Sequence, residues 1–221
     1  AGVAKVVTFV ILFRQAYSLG IEPFLFSNSK NENAKEMYVK LMDAFIVINC
    51  LIILFLSVNL GWISRYYINN PEYYEGISIL PILFFASGFL GIYLNLSVWY
   101  KLTDKTIIGA YISGFGVLIT ILINFYFIPK HGYWASVWAT IISYFMMMMV
   151  SYFLGKKAYP ISYNVYKNVV IILATIIISL FCYQYLGKNF IIGNIIFVVA
   201  AIILITTQGI IPQRIVNKFK R

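Results

Sequence analysis

Seven apolar runs, each near the length that crosses a bilayer, follow one another along the chain at roughly 2–26, 44–64, 76–100, 106–129, 132–154, 168–187 and 189–210. A hydrocarbon core is spanned by about 20 helical residues. A lone apolar run in lipid has to satisfy its own backbone hydrogen bonds, which makes it a helix unless the strands close into a barrel. Barrel strands alternate polar and apolar residues over about 10 positions. Unbroken runs such as Ile52-Ile53-Leu54-Phe55-Leu56 and Ile176-Ile177-Ile178 do not alternate. The expected fold is therefore all-α, a polytopic membrane helix bundle with seven transmembrane helices.

Composition agrees, with 62% apolar and 11% charged residues against roughly 45–50% and about 25% in soluble domains. The formal charge of +10 would suggest nucleic acid if it formed a patch on a soluble face. It lies instead in short connectors between apolar runs, where basic residues set membrane orientation, so no nucleic-acid partner is expected. Lys30, Lys35, Lys40, Lys101, Lys105, Lys156, Lys157, Lys167, Arg214, Lys218, Lys220 and Arg221 fall on one side, and Arg65, Lys130 and Lys188 on the other, a split of 12 to 3. A missed or invented helix would scramble that alternation. The basic side is expected to be cytoplasmic, including the C-terminal tail.

The chain opens on Ala1, with Lys5 and Arg14 already inside the first apolar run. This pattern is neither a start nor a cleavable signal, and the chain is expected to be the C-terminal part of a longer protein. If that protein begins in the cytoplasm, the first run has an even number, and seven further helices upstream would make fourteen.

Chemistry-bearing constellations are sparse. His131 stands in the connector Pro129-Lys130-His131-Gly132, with no carboxylate or cysteine near it in sequence. Cys50 and Cys182 sit in apolar runs without metal or redox spacing. No phosphate-binding glycine loop occurs. Neither catalytic residues, nor a metal, nor a cofactor is expected. The outer connectors leave little room for the charged extramembrane loop that enzymes working on lipid-linked sugars usually use, whereas transporter sites lie between helices.

The anomaly is the first run, which carries Lys5, Arg14 and Glu22. A charge at the centre of a membrane helix costs about 2.5–3.5 kcal/mol on insertion scales and faces a bundle interior or a watery cavity. Lys5 and Glu22 lie close enough to the run's ends to reach the interfaces. Arg14 is central. Arg14, Ser18 and Glu22 recur every four residues and share one helix face, with Gln15 beside them. These four are the candidate substrate-binding residues.

Other features are structural expectations. Ser87 with Gly91, Ala110 with Gly114 and Ala135 with Ala139 are small pairs expected to face neighbouring helices. Asn49, Asn59, Asn95 and Asn124 are expected to hydrogen-bond between helices. Met146–Met149 is expected to face lipid. Trp62, Tyr66, Tyr67, Trp99, Tyr100, Tyr133 and Trp134, near the run ends, are expected to form an interfacial aromatic belt.

Phe13-Arg14-Gln15-Ala16 followed by Glu22-Pro23-Phe24-Leu25-Phe26-Ser27 resembles the polysaccharide-biosynthesis transporters of the Wzx type. So do Val98-Trp99-Tyr100-Lys101-Leu102-Thr103-Asp104-Lys105-Thr106 and Gly132-Tyr133-Trp134-Ala135-Ser136. The resemblance implies the fold of the multidrug, oligosaccharidyl-lipid and polysaccharide exporter superfamily, with two helical lobes around a cavity. Residues 1–154 would then hold five helices of the second lobe, and 155–221 two additional helices and a basic tail. It implies a bacterial inner-membrane flippase for undecaprenyl-diphosphate-linked oligosaccharide in O-antigen or other polysaccharide synthesis. Its partners would be the lipid-linked oligosaccharide, membrane lipids and the N-terminal lobe of the same protein. A multidrug or small-cation exporter of the same superfamily, and a polymerase-type membrane enzyme, stay open as alternatives.

The orientation is testable with single cysteines and an impermeant thiol reagent on intact cells. Position 65 is expected to label and position 156 to stay silent; the reverse pattern would overturn the topology.

Overall fold

The computed structural model describes residues 2–67, 75–186 and 190–207, and every regular element among them is helical. The helices are α1 (Gly2–Ser27), α2 (Ala34–Tyr67), α3 (Leu80–Leu96), α4 (Val98–Leu102), α5 (Thr106–His131), α6 (Tyr133–Ala158), α7 (Val165–Leu186) and α8 (Phe190–Thr207). A 3₁₀ turn, Glu75–Ile79, leads into α3, whose Pro81 occupies the first turn, where a missing N–H costs nothing.

Six segments are long and apolar enough to cross a membrane: Val7–Ser27, Ala34–Ile63, Gly76–Leu102, Thr106–His131, Tyr133–Ala158 and Val165–Gln184. The chain is a multi-pass helical membrane protein. The seventh expected span corresponds to α8, whose apolar part, Ile191–Thr206, is shorter; the rest of that run and the basic tail lie outside the described residues. So do Arg65 and Lys188 as side chains, and Lys5 with them.

The second helix begins ten residues before its apolar run. Its first turns, Lys35 to Lys40, carry a buried stripe of Ala34, Tyr38 and Met42 at four-residue spacing, so packing extends the helix beyond what hydropathy marks. At 34 residues and 1.5 Å per residue, α2 is about 51 Å long, well past the ~30 Å hydrocarbon core.

The described residues pack as two compact units that cut across sequence order: Ala1–Val39 with Asn70–Tyr163, and Lys40–Asn69 with Asn164–Arg221. In the first unit α6 packs against both α3 and α5, and α1 against α3. The α6 stripe of Ala139, Ser143, Met147, Ser151 and Gly155, all buried, recurs every four residues. Thr120 and Ser143 share a hydrogen bond of 2.7 Å across α5 and α6. The Trp99 indole donates to Ser151 at 3.3 Å, and Phe89 meets Phe145 edge to face at 5.4 Å. Small hydroxyls and glycines allow this approach where no water drives helices together.

Contacts within this unit also join the connectors that the charge count put on one side. Glu22 pairs with Lys101, the Tyr38 hydroxyl donates to the Leu25 carbonyl at 3.3 Å, and the Lys35 ammonium lies 4.8 Å over the Tyr159 ring. The start of α2, the last turns of α1, α4 and the end of α6 thus meet at one lysine-rich end. Burial first, then the phenols of Tyr38, Tyr159 and Tyr17, push the Tyr163 hydroxyl above its ordinary range, keeping it neutral there.

Three expectations change. The α5 side that packs is Gly109, Ile112 and Gly116, while Ala110 and Gly114 face outward. The two small-residue stripes are offset by about one residue in rotation, which sequence spacing alone does not resolve. Met147 and Met148 are buried rather than lipid-facing, Met147 lying against Gly116. Trp99 and Tyr100 are buried against Gly155 and Gly109 instead of lying in a belt, whereas Trp62 and Tyr133 are outward.

In the second unit α2 and α7 run parallel, and α8 returns antiparallel to both. Asn59 and Asn194 exchange amide hydrogen bonds at 3.1 and 3.3 Å. Leu54, Val58, Cys182 and Ala200 form the core beside Ile178, Ile196 and Phe197.

A methyl added at Gly155 would lie 2.7 Å from Trp99 Cδ1, whereas one at Gly114 meets nothing within 4 Å. Gly155→Ala is therefore expected to destabilise by about 1–3 kcal/mol, the usual cost of overpacking. Gly114→Ala should stay within about 0.5 kcal/mol. Thermal unfolding of the purified variants in detergent checks both, and equal midpoints would contradict the packing.

Candidate functional site

Along α1 the residues Arg14, Tyr17, Ser18, Ile21, Glu22 and Leu25 fall at steps of three and four, so they share one face. That face lies on Gly91, Leu94 and Asn95 of α3. The two helices run parallel, so polar partners rise together along the groove. The Arg14 guanidinium donates to Ser87 Oγ at 3.2 Å. One turn on, the Tyr17 hydroxyl donates to Asn95 Oδ1 at 2.8 Å, while Asn95 Nδ2 donates to the Gly91 carbonyl at 3.0 Å. At the lysine-rich end Glu22 is ion-paired with Lys101 of α4.

Three of the four residues singled out from sequence, Arg14, Ser18 and Glu22, line this one groove. Gln15 is exposed and does not line the groove. Sequence reasoning missed Tyr17 and Lys101. Tyr17 was legible as the residue three positions after Arg14 on the same stripe. Lys101 carried no such signal, because its pairing with Glu22 depends on how α1 docks.

The electrostatics are uneven along the stripe. Glu22 is neutralised by Lys101 and is not available to Arg14. Arg14 is half-buried within a membrane span, and its partner is the neutral Ser87. A guanidinium carries five N–H donors, so Ser87 leaves most of them for another acceptor. The space enclosed in the groove is about 10 Å³, about one water molecule. Among the membrane spans α1 is the least covered helix.

At the opposite end, α5 and α6 form an open groove of about 490 Å³ lined by Ile123, Phe127, His131, Trp134, Ala135, Trp138 and Ile142. His131 stacks on Phe127 with ring centres 6.1 Å apart. The lining holds no carboxylate or nucleophile to make that histidine catalytic. Among the described residues no three of His, Cys, Asp and Glu come together as a metal site. Cys50 and Cys182 are buried free thiols.

No family model, curated protein or solved structure matches the chain.

The Glu22–Lys101 pair is part-exposed, its side chains keeping 40% and 24% of their accessible surface. A double-mutant cycle with Glu22→Gln and Lys101→Met, followed by thermal unfolding, is expected to give a coupling of about 0.2–1 kcal/mol. Additive effects would mean that the two charges do not hold α1 to α4.

Proposed function

We propose that the chain is part of a flippase that moves undecaprenyl-diphosphate-linked oligosaccharide from the inner to the outer leaflet in polysaccharide or O-antigen synthesis, with Arg14 holding the diphosphate. The observation that carries this reading is a membrane-embedded arginine whose partner is an uncharged hydroxyl while the one acid on its stripe is engaged by Lys101. A cation in that state is suited to an anionic ligand. A guanidinium binds phosphate oxygens through two parallel hydrogen bonds, a geometry that a lysine cannot reproduce.

The resemblance at Phe13–Ala16, Glu22–Ser27, Val98–Thr106 and Gly132–Ser136 to Wzx-type transporters supports the same substrate class. On the α1 stripe an exporter of cationic drugs would want a free acid, and there Glu22 is paired with Lys101. Ser18, beside the mutually bonded Tyr17 and Asn95, adds a neutral hydroxyl of the kind that contacts sugar hydroxyls. Moving about two negative charges outward through an inside-negative potential is favoured by roughly 2.3 kcal/mol per charge per 100 mV if they cross uncompensated, so membrane voltage would assist the cycle.

In the intact transporter, Arg14→Ala is expected to abolish flipping, because losing a buried charged partner costs about 2–5 kcal/mol of binding. Arg14→Lys should retain a part of it. If Arg14 only fastened α1 to α3 through Ser87, the alanine variant would lower protein abundance and flipping in equal proportion. Membrane protein level and surface polysaccharide, measured together, separate the two, and normal transport per molecule in Arg14→Ala would remove this residue from the substrate site.

A further inference from the structure

In the second unit a polar seam runs between the parallel helices α2 and α7. Asp43, Cys50 and Ser57 stand seven residues apart on α2, and Asn168, Thr175 and Cys182 seven apart on α7. A seven-residue step returns to the same helix side, and all six residues are buried. At one end of the seam Asp43, 9% exposed, receives two amides on its carboxylate. Asn164 Nδ2 donates to its Oδ2 at 2.7 Å and Asn168 Nδ2 to its Oδ1 at 2.7 Å.

These bonds give the carboxylate donors but no countercharge. Among the described residues the ion pair is Glu22–Lys101, and no described basic side chain lies within 4.0 Å of Asp43. Asn168 is 6% exposed, and its Oδ1 is buried without a hydrogen-bond donor. One end of that amide touches Asp43 and the other is an acceptor with nothing to accept.

The two ends of an asparagine amide are nearly equal in size, and rotation exchanges them. Turned over, Asn164 and Asn168 present carbonyl oxygens to Asp43, and the cluster becomes a set of hard oxygen donors carrying one negative charge. We propose that Asp43, Asn164 and Asn168 form a binding site for a sodium ion. Oxygen-only donors suit a hard cation. The single carboxylate balances a monovalent ion, whereas a divalent one would leave excess charge buried. Asn164 is exposed, so water completes the coordination and the ion enters beside the N-terminus of α7. Sodium at this seam requires nothing of Arg14. The competing role for Asp43 is purely structural: a fixed negative charge near the N-terminus of α7, favourable to the helix dipole, which locks α7 onto α2.

Binding of radiolabelled sodium to the purified chain in detergent, with choline chloride holding ionic strength constant, tests the site. Wild type is expected to bind sodium saturably, with displacement by unlabelled sodium chloride but not by choline. Asp43→Asn and Asn168→Leu should each lose that binding, and Asn59→Ala, which faces Asn194 of α8 outside the seam, should keep it. In parallel, replacing choline by sodium should raise the unfolding temperature of the wild type and leave that of Asp43→Asn unmoved. A wild type without saturable sodium binding overturns the proposal even if neither variant folds, and binding that survives both substitutions overturns it as well.

Discussion

Every backbone amide and carbonyl that crosses the hydrocarbon layer has to find its partner inside the chain. This constraint makes each apolar run a helix and moves the problem of specificity to side chains. Leucine and isoleucine gain little by choosing a neighbouring helix over lipid, because the two are equally apolar. What distinguishes one neighbour from another is the placement of small and polar residues. In the first unit these are Thr120 with Ser143, Trp99 with Ser151, Tyr17 with Asn95 and Arg14 with Ser87. In the second they are Asp43 with Asn164 and Asn168, and Asn59 with Asn194.

Glycine and polar pairing act together in this architecture. Gly155 admits the Trp99 ring, which then reaches the Ser151 hydroxyl four residues earlier on the same α6 stripe. Gly109 admits the Tyr100 ring, whose hydroxyl meets that of Tyr93 at 3.2 Å. In both cases the missing side chain brings an aromatic ring close enough for its polar tip to be satisfied within the bundle. An aromatic that looks interfacial by its position near a helix end is thereby drawn into the core.

The same accounting separates groups that are satisfied from groups held in reserve. Glu22 is discharged by Lys101, and Tyr17 and Asn95 close on one another. Arg14 keeps its charge against a neutral hydroxyl, and Asn168 keeps an acceptor without a donor. The two lie in different units.

The helical class, the positions of the long runs, the lysine-rich side and the polar stripe on α1 were all determined by the sequence alone. Length, apolarity and charge are local quantities that add up along a chain without reference to any neighbour. The tertiary structure decided the rest. It left Gln15 exposed outside the groove, buried Met147 and Met148, chose Gly109 and Gly116 over Ala110 and Gly114 as the packing side of α5, and joined Asp43 to asparagines 121 and 125 positions away. Those outcomes depend on the rotation of each helix about its axis and on its register against a partner. A shift of one residue rotates a helix by about 100°, and the contacts that choose among such rotations come from parts of the chain that no local pattern connects.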